Sequence, residues 1–257
     1  MTANAEPPRT SGRMPAARTS SATHPRRKVL RAALAGTAAV GAGMTLGASA
    51  AAASPLSTTD ATRPTTAQGA LRELAAGNER WRTLHEEHPD ETYTVRQELI
   101  AGQHPFAIIL GCIDSRVSPE LVFDQGLGDL LTVRSAGEVL DEAVLGSIAY
   151  GVLELGIPLV MVLGHQSCGA VSAAVQADIS GAQLPDHIEY LAEQIRPAID
   201  HSVEGDARID ATITANVRLV RSRLAAEPDL AARVSAGQLA IVGARYELTT
   251  QRVHRIS

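Results

Sequence analysis

The stretch FAIILGCIDSRVSPE, residues 106–120, places a continuous apolar run directly before a cysteine and a charged turn. The stretch IPLVMVLGHQSCGA, residues 157–170, repeats the arrangement, with an apolar run that leads into a histidine and a second cysteine. Short apolar runs bounded by turn residues are typical of strands that are buried on both faces of a parallel sheet. Both stretches therefore predict a buried strand with reactive side chains at its carboxyl end.

The rest of the chain extends this pattern into a fold class. Two more apolar runs, DLLTVRS at residues 129–135 and GQLAIVGARYEL at residues 237–248, predict two further strands. Helical patterns separate the strands, at residues 140–156, 169–179 and 207–227, and an N-terminal helical arm at residues 66–87 is followed by a short helix that ends near Gly102. Strands that alternate with helices predict an α/β fold with a mostly parallel β-sheet flanked by helices.

The first 53 residues differ from the remainder in composition. A twin arginine at Arg26 and Arg27 precedes an uncharged Ala/Gly-rich stretch at residues 32–46, and small side chains at residues 48–53 suit a signal peptidase. We interpret residues 1–53 as a twin-arginine-type signal peptide, residues 54–66 as a linker and residues 67–257 as the folded domain.

Two other interpretations of the leader agree less well with its sequence. An amphipathic transit peptide would share its Arg-rich, acid-poor composition, but the apolar stretch has no charged face. A stable membrane anchor is disfavoured because the uncharged stretch is shorter than the roughly 20 residues that a spanning helix needs. Export through the twin-arginine route would place the protein in the periplasm, at the cell surface or outside the cell.

The charge of the remaining chain limits its partners. Without residues 1–53 the chain carries 16 basic and 27 acidic side chains, a formal net charge of −11. Nucleic acids and anionic membranes are bound by clusters of Lys and Arg, and no such run is present in this part of the sequence. We therefore expect neither a nucleic-acid partner nor an anionic-membrane partner.

The reactive side chains that follow the first and third predicted strands form a candidate metal site. In an open parallel sheet, ligands bind outside the carboxyl ends of the strands. Two neighbouring strand ends would bring together Cys112, His165 and Cys168, and a Cys, His, Cys set with one open position is typical of catalytic zinc. A disulfide between the two cysteines is the alternative for an exported protein. It requires neither the histidine nor the charged residues Asp114 and Arg116, so the metal site is favoured.

The same motifs resemble those of a known family. CIDSRVSPE, followed 53 residues after its cysteine by HQSC, is similar to the signature of the β-class carbonic anhydrases, Cys-x-Asp-Ser-Arg and then His-x-x-Cys. LAAGNERW, GDLLTVRSAGE and GQLAIVGARYELTTQRV resemble further family segments. The resemblance extends from about Leu71 to Val253, nearly the whole predicted domain.

The resemblance implies a reaction and a set of site residues. The reaction is the reversible, zinc-dependent hydration of CO2 to bicarbonate and a proton, by attack of zinc-bound hydroxide. The three metal ligands named above would hold one Zn²⁺ per subunit, and Asp114 and Arg116 would form the catalytic dyad. The substrate-binding residues implied are Gln103, supplied by a partner subunit, and Gly169, through its backbone N–H. The resemblance also implies a homodimer or homotetramer. In some relatives the aspartate that corresponds to Asp114 becomes the fourth ligand of zinc at low pH, which inactivates the enzyme.

Alternatives to this function remain open at this level. Relatives with the same zinc site hydrolyse carbonyl sulfide or carbon disulfide, and a non-catalytic zinc module is a further possibility that the intact dyad disfavours. The sequence also departs from the family, with Ser135 and Glu138 where asparagines are common. Ile109 stands where bicarbonate-regulated members carry tryptophan, so we expect no tryptophan-built regulatory pocket, and we expect Arg134 to serve a structural or interface role.

Overall fold

The computed structural model describes residues 63–257, and the predicted leader and most of the predicted linker lie outside the described residues. Its helices are α1 (Ala67–Thr83), α2 (Tyr93–Glu98), α3 (Pro119–Val122), α4 (Glu142–Leu153), α5 (Gly169–Ser180), α6 (Asp186–Ile195), α7 (Gly205–Ala226) and α8 (Pro228–Ser235). Its strands are β1 (Ala107–Gly111), β2 (Leu130–Arg134), β3 (Leu159–His165), β4 (Ala240–Tyr246) and β5 (Val253–Ile256). Short 3-10 helices occupy Leu99–Ala101, Ala136–Glu138 and Arg196–Ala198.

The five strands form one sheet in the order β2-β1-β3-β4-β5. The first four strands are mutually parallel, and β5 pairs antiparallel with β4 at the edge. The predicted fold class and the four predicted strands are therefore confirmed. β5 was not predicted as a separate strand because it has only four residues, two of them exposed, and makes no continuous apolar run.

Burial on both faces explains why β1 and β3 are apolar at successive positions. Ile108 and Leu110 pack with residues of α4 and α7 on one face of the sheet, whereas Ile109 packs with Leu74 of α1 and Phe123 on the other. Successive side chains of a strand point to opposite faces, so helices on both sides of the sheet leave no position for a polar residue.

The N-terminal helix α1 packs onto its own domain. Thr66 caps it by accepting a hydrogen bond from the Gly69 N–H at 3.1 Å. Near its other end, Trp81 Nε1 donates to the Tyr246 hydroxyl at 3.1 Å. This hydrogen bond ties Trp81 to β4 of its own domain.

The strand register places the candidate site. Gly111, the last residue of β1, lies opposite Leu163 of β3, so Cys112 emerges beside the end of the strand that finishes at His165. Helix α5 begins at Gly169 directly after the next turn. No helix in the described part of the chain combines the length and the apolar character needed to cross a membrane.

Candidate metal centre

Cys112, His165 and Cys168 lie together at the carboxyl ends of β1 and β3. Their donor atoms all lie within 4.8 Å of one another, and the two sulfur atoms are 3.9 Å apart. Both thiols are free, so the structure does not contain the disulfide that the sequence left open. The turn between the two ligands on the HQSC segment contains Ser167 in the left-handed region, at φ 57°, which carries the chain from strand to helix within three residues.

The hydrogen bonding of His165 leaves one ring nitrogen free to bind a metal. Its side chain is fully buried, and Nδ1 lies 2.9 Å from the carbonyl oxygen of Gln166. A carbonyl oxygen only accepts, so in the neutral imidazole Nδ1 carries the proton and donates it, and Nε2 keeps the lone pair that a metal would bind. Nε2 is buried without a hydrogen-bond partner. Buried polar atoms are rarely left unpaired, and a metal ion would satisfy this one.

The two thiols are in an environment that favours thiolate character at Cys112. The hydrogen bond with Cys168 lowers the pKa of Cys112, with smaller contributions from His165 and from the backbone N–H of Gly137, whose nitrogen lies 3.4 Å from the sulfur. Cys168 lies at the N-terminus of α5, and the adjacent Cys112 sulfur raises the pKa of its thiol. Two buried sulfurs that compete for one proton favour a bound cation, because the cation would neutralise both thiolates.

The donor set fits zinc. Two cysteine sulfurs and one imidazole nitrogen are ligands that Zn²⁺ prefers, and three protein ligands leave the open position of a catalytic site. Among residues 63–257, this set is the group of His, Cys, Asp and Glu side chains close enough together to hold a metal ion, and Asp114 is not part of it. These observations agree with the predicted zinc cofactor.

Asp114 is held at the edge of the site by Arg116. The guanidinium donates from Nε to Oδ1 at 2.9 Å and from Nη2 to Oδ2 at 2.7 Å, and the Arg116 backbone N–H also donates to Oδ1. The hydrogen bonds from the Arg116 side chain lower the pKa of Asp114 to about 2, against the opposing effect of its partial burial. Asp114 is therefore an ionised hydrogen-bond acceptor at neutral pH.

Arg134 organises the loop that carries these residues. Its guanidinium donates to the carbonyl oxygens of Cys112, at 2.6 and 2.8 Å, of Asp114, at 2.7 Å, and of Val117, at 3.1 Å. Three carbonyl groups of the loop between β1 and α3 thus share one cation. Of the structural and interface roles that we expected for Arg134, these contacts show the structural one, and the fixed fork of an arginine suits it to this task.

Ser135 and Glu138, which stand where the family commonly has asparagines, form part of the turn that follows β2. Ser135 Oγ donates to the Val139 carbonyl at 2.7 Å, and Glu138 is buried, with a positive φ of 55°. Asn216 of α7 donates to the Gly137 carbonyl at 2.8 Å and approaches Glu138 Oε2 at 3.5 Å. Burial raises the pKa of Glu138 well above its ordinary value. Sequence reasoning missed Asn216, because its partners are 78 and 79 residues away in the chain.

The two predicted substrate residues lie in different places. Gly169 is exposed at the start of α5, next to Cys168, and borders an open cleft of about 690 Å³ together with Ser167 and Ser172. Gln103 is exposed in the loop before β1. Gln103 lies before the amino end of β1, whereas Cys112 follows its carboxyl end. The five residues of β1 separate these two ends by about 16 Å. The structure therefore does not bring Gln103 to the metal centre of its own chain.

The fold and the site together define an α/β metalloprotein with a Cys2His centre and an adjacent aspartate-arginine pair. The carbonic anhydrase family model matches residues 107–253, more than half of the chain. Carbonic anhydrase 2 of Mycobacterium tuberculosis is 42% identical over 193 residues, which cover 74% of this chain and 92% of that relative.

Solved structures of the β-class share the fold. The β-carbonic anhydrase CcaA superposes with a TM-score of 0.60 at 24% identity, over 73% of this chain and 95% of that one. A structure from a study of two tetrameric β-carbonic anhydrases of the ascomycete Sordaria macrospora has a TM-score of 0.59 at 17% identity. The match covers 73% of this chain and 96% of that one. The chain belongs to the carbonic anhydrase family, and its fold is that of the β-class.

Proposed function

We propose that this protein is a zinc-dependent carbonic anhydrase that catalyses the reversible hydration of CO2 to bicarbonate and a proton. The observation that carries the proposal is the buried Cys112, His165 and Cys168 cluster with the Asp114–Arg116 pair intact beside it. Membership of the carbonic anhydrase family supports the same conclusion. A zinc ion held by these ligands supplies Lewis acidity, which makes water a strong enough nucleophile to attack CO2 near neutral pH.

The residues of this chain orient the reaction. Asp114 Oδ2 lies 3.9 Å from His165 Nε2, so the carboxylate faces the position to which the metal ligands converge. As an ionised acceptor, it takes a hydrogen bond from the nucleophile and directs the nucleophile's lone pair toward the carbon of CO2. Its two oxygens already accept from Arg116, which keeps the carboxylate in this orientation rather than as a fourth metal ligand.

The neighbouring hydrogen bonds hold the ligands themselves. Gln166 fixes the tautomer of His165, and the Gly137 N–H donates to the Cys112 sulfur. A hydrogen bond to a thiolate withdraws charge from it, so this donor partly offsets the strong electron donation of two sulfurs. We expect activity to rise toward alkaline pH, because two thiolates leave the metal a weaker Lewis acid than three imidazoles would.

A second subunit completes the site in this proposal. Gln103, the residue that the family resemblance assigns to substrate binding, lies before the amino end of β1 and far from its own metal ligands. We propose a homodimer or homotetramer in which Gln103 hydrogen-bonds the substrate in the partner's site. The tetrameric relatives of Sordaria macrospora share the fold and support an oligomer.

Export is a further part of the proposal. The twin arginine at Arg26 and Arg27, with the apolar stretch behind it, supports transport of the folded, zinc-loaded protein out of the cytoplasm. The test is the pair of substitutions Arg26→Lys and Arg27→Lys in the full chain. We expect the variant to stay in the cytoplasmic fraction at its full length, and secretion equal to that of the unchanged chain would contradict export by this route.

The reaction is tested by stopped-flow assays of one zinc-loaded preparation with CO2, carbonyl sulfide and carbon disulfide. We expect CO2 hydration to be far faster than hydrolysis of either sulfur compound. Faster turnover of carbonyl sulfide or carbon disulfide would assign the site to a hydrolase. Bound zinc with no turnover of any of the three would show a non-catalytic zinc module, and either result would overturn the proposal.

A further inference from the structure

The guanidinium of Arg63 joins three loops at the amino ends of β1 and β2, the sheet edge opposite the metal centre. It donates from Nη1 to the His104 carbonyl oxygen at 3.3 Å and from Nη2 to the Leu127 carbonyl oxygen at 3.4 Å. Nη2 also pairs with Asp129 Oδ1 at 3.2 Å and with Asp90 Oδ2 at 3.6 Å. One side chain thus connects the segment before α2, the loop before β1 and the loop before β2.

This cluster is largely shielded from water. The exposed fractions of the side chains are 10% for Arg63, 5% for Asp129 and 19% for Asp90. Asp129 is fixed further, because its Oδ2 accepts from the Gly126 N–H at 2.8 Å and its carbonyl oxygen accepts from the Phe106 N–H at 2.9 Å. A shielded ion pair is screened by salt much less than an exposed one, so it can hold loops in a fixed arrangement.

The loop that Arg63 holds is the one that carries Gln103. Hydrogen bonds anchor the backbone of this loop at its two ends. At one end the Gly102 N–H donates to the Leu99 carbonyl oxygen at 3.4 Å, and at the other the Phe106 N–H donates to the Asp129 carbonyl oxygen. Between these ends, within the described residues, the bond from Arg63 to His104 is the one hydrogen bond that residues 103–105 make. Gln103 itself is exposed, and its side chain makes no hydrogen bond to any of residues 63–257.

We propose that Arg63, with Asp129 and Asp90, is a positioning group that fixes the loop of residues 102–106 so that Gln103 reaches substrate in the partner subunit's site. The proposal rests on the proposed function, which assigns Gln103 to that site. An arginine suits the role because its planar fork donates to a carbonyl and to carboxylates at the same time, which an ammonium group does not reproduce. Arg63 lies in the predicted linker, beyond the predicted end of the leader at residue 53, and so stays with the exported protein.

A double-mutant cycle tests this inference in the zinc-loaded full chain. The variants are Arg63→Met, Gln103→Ala and the two combined, with Arg72→Met as the matched control because Arg72 is exposed on α1. If Arg63 acts through Gln103, each single change lowers kcat/KM for CO2 by a similar factor, about tenfold, and the double variant is no slower than Gln103→Ala. Zinc content and the unfolding transition of Gln103→Ala and Arg72→Met should equal those of the unchanged protein.

Hydrogen exchange supplies a readout that does not depend on turnover. We expect Arg63→Met to speed the exchange of the Gly102 and Phe106 amides, the hydrogen-bonded amides at the two ends of this loop, with the amides of β3 unchanged, and we expect Arg63→Lys to restore only part of the protection. Additive losses of kcat/KM, or unchanged loop exchange in Arg63→Met, would overturn the positioning role while leaving the proposed function in place. Full activity of Gln103→Ala, with a loop that Arg63→Met loosens, would instead show that Gln103 has no part in the reaction, and the inference would fall with it.

Discussion

Asp114 Oδ2 lies 3.9 Å from His165 Nε2, and Arg116 occupies both oxygens of that carboxylate. The aspartate is thus close enough to the metal position to contact a bound nucleophile, while its bonds to Arg116 keep it from binding the metal in its place. In the described residues Asp114 is paired with Arg116, and the group of ligand atoms that could hold a metal consists of Cys112, His165 and Cys168.

Asp114→Asn should keep zinc and slow the reaction. The amide retains the shape of the carboxylate but loses its charge and one of its acceptors, so it orients the nucleophile poorly. We expect kcat to fall by about 10²-fold or more, the order of effect typical of a lost acid-base group. Stopped-flow hydration of CO2 with metal analysis of the same sample measures both quantities. Equal rates for the variant and the unchanged protein would remove Asp114 from the mechanism.

Cys168→Ala should lose the metal. With one sulfur removed, two protein ligands remain, and a structural or catalytic zinc site holds its ion through at least three. We expect less than a tenth of the zinc content of the unchanged protein after dialysis, a value measured by inductively coupled plasma spectrometry. Asp114→Asn is the matched control, since it alters the same site without removing a ligand. Zinc retained at one ion per chain would show that Cys168 does not bind it.

Gly77 marks a close contact between α1 and the turn that follows α3. A Cβ at this position would lie 1.7 Å from the Phe123 carbonyl oxygen, so Gly77→Ala must push the arm helix away. We expect the free energy of unfolding to fall by about 3 kcal/mol. Gly146→Ala on α4 is the control: nothing lies within 4 Å of its Cβ, and the change should stabilise the helix by about 0.5–1 kcal/mol. Urea denaturation of both variants measures these changes. Similar free energies of unfolding for the two variants would show that α1 does not pack closely against Phe123 at this position.

Asp129 makes stability depend on pH. Burial, opposed by the Gly126 N–H and reinforced by the negative charge of Asp90, raises the pKa of Asp129 from 3.8 to about 6. The folded state therefore binds this proton more tightly than the unfolded state, and the stabilisation is present below about pH 4 and lost as pH rises to about 6. Asp129→Asn does not titrate, so it should lack this decline.

Urea unfolding of both proteins at pH 4, 5, 6 and 7 measures the difference between them. Proton-driven loss of zinc affects both proteins alike and cancels in the difference. We expect the gap between their free energies of unfolding to change most steeply from pH 4 to pH 6 and to level off by about pH 7. A constant gap over the whole range would show that the carboxyl group of Asp129 titrates normally in the folded protein.

The sequence predicted the parts of the fold that depend on local pattern. The apolar runs before Cys112 and His165 each form a strand buried on both faces, as their shortness and the turn residues that bound them indicate. The metal ligands followed from residue type and from the rule that parallel strands share one functional edge. The short helices α3, α6 and α8 and the edge strand β5 were missed, because their patterns are too brief to stand out.

The supporting contacts could not be predicted, because they join residues far apart in the chain. Arg134 binds the carbonyl of Cys112, 22 positions away, and Asn216 reaches the turn at Gly137 from 79 positions away. Nothing in their local sequence marks these residues, and only the packing of α7 and β2 against the site brings them there. The same holds for Arg63, whose partners lie on three separate loops.

Titration of the metal-free protein with zinc, followed by stopped-flow CO2 hydration, tests the central claim most directly. The account predicts no activity without zinc, a linear rise with added metal and a sharp break at one zinc ion per chain. Activity in the metal-free protein, or zinc bound at that ratio with no CO2 hydration, would contradict it.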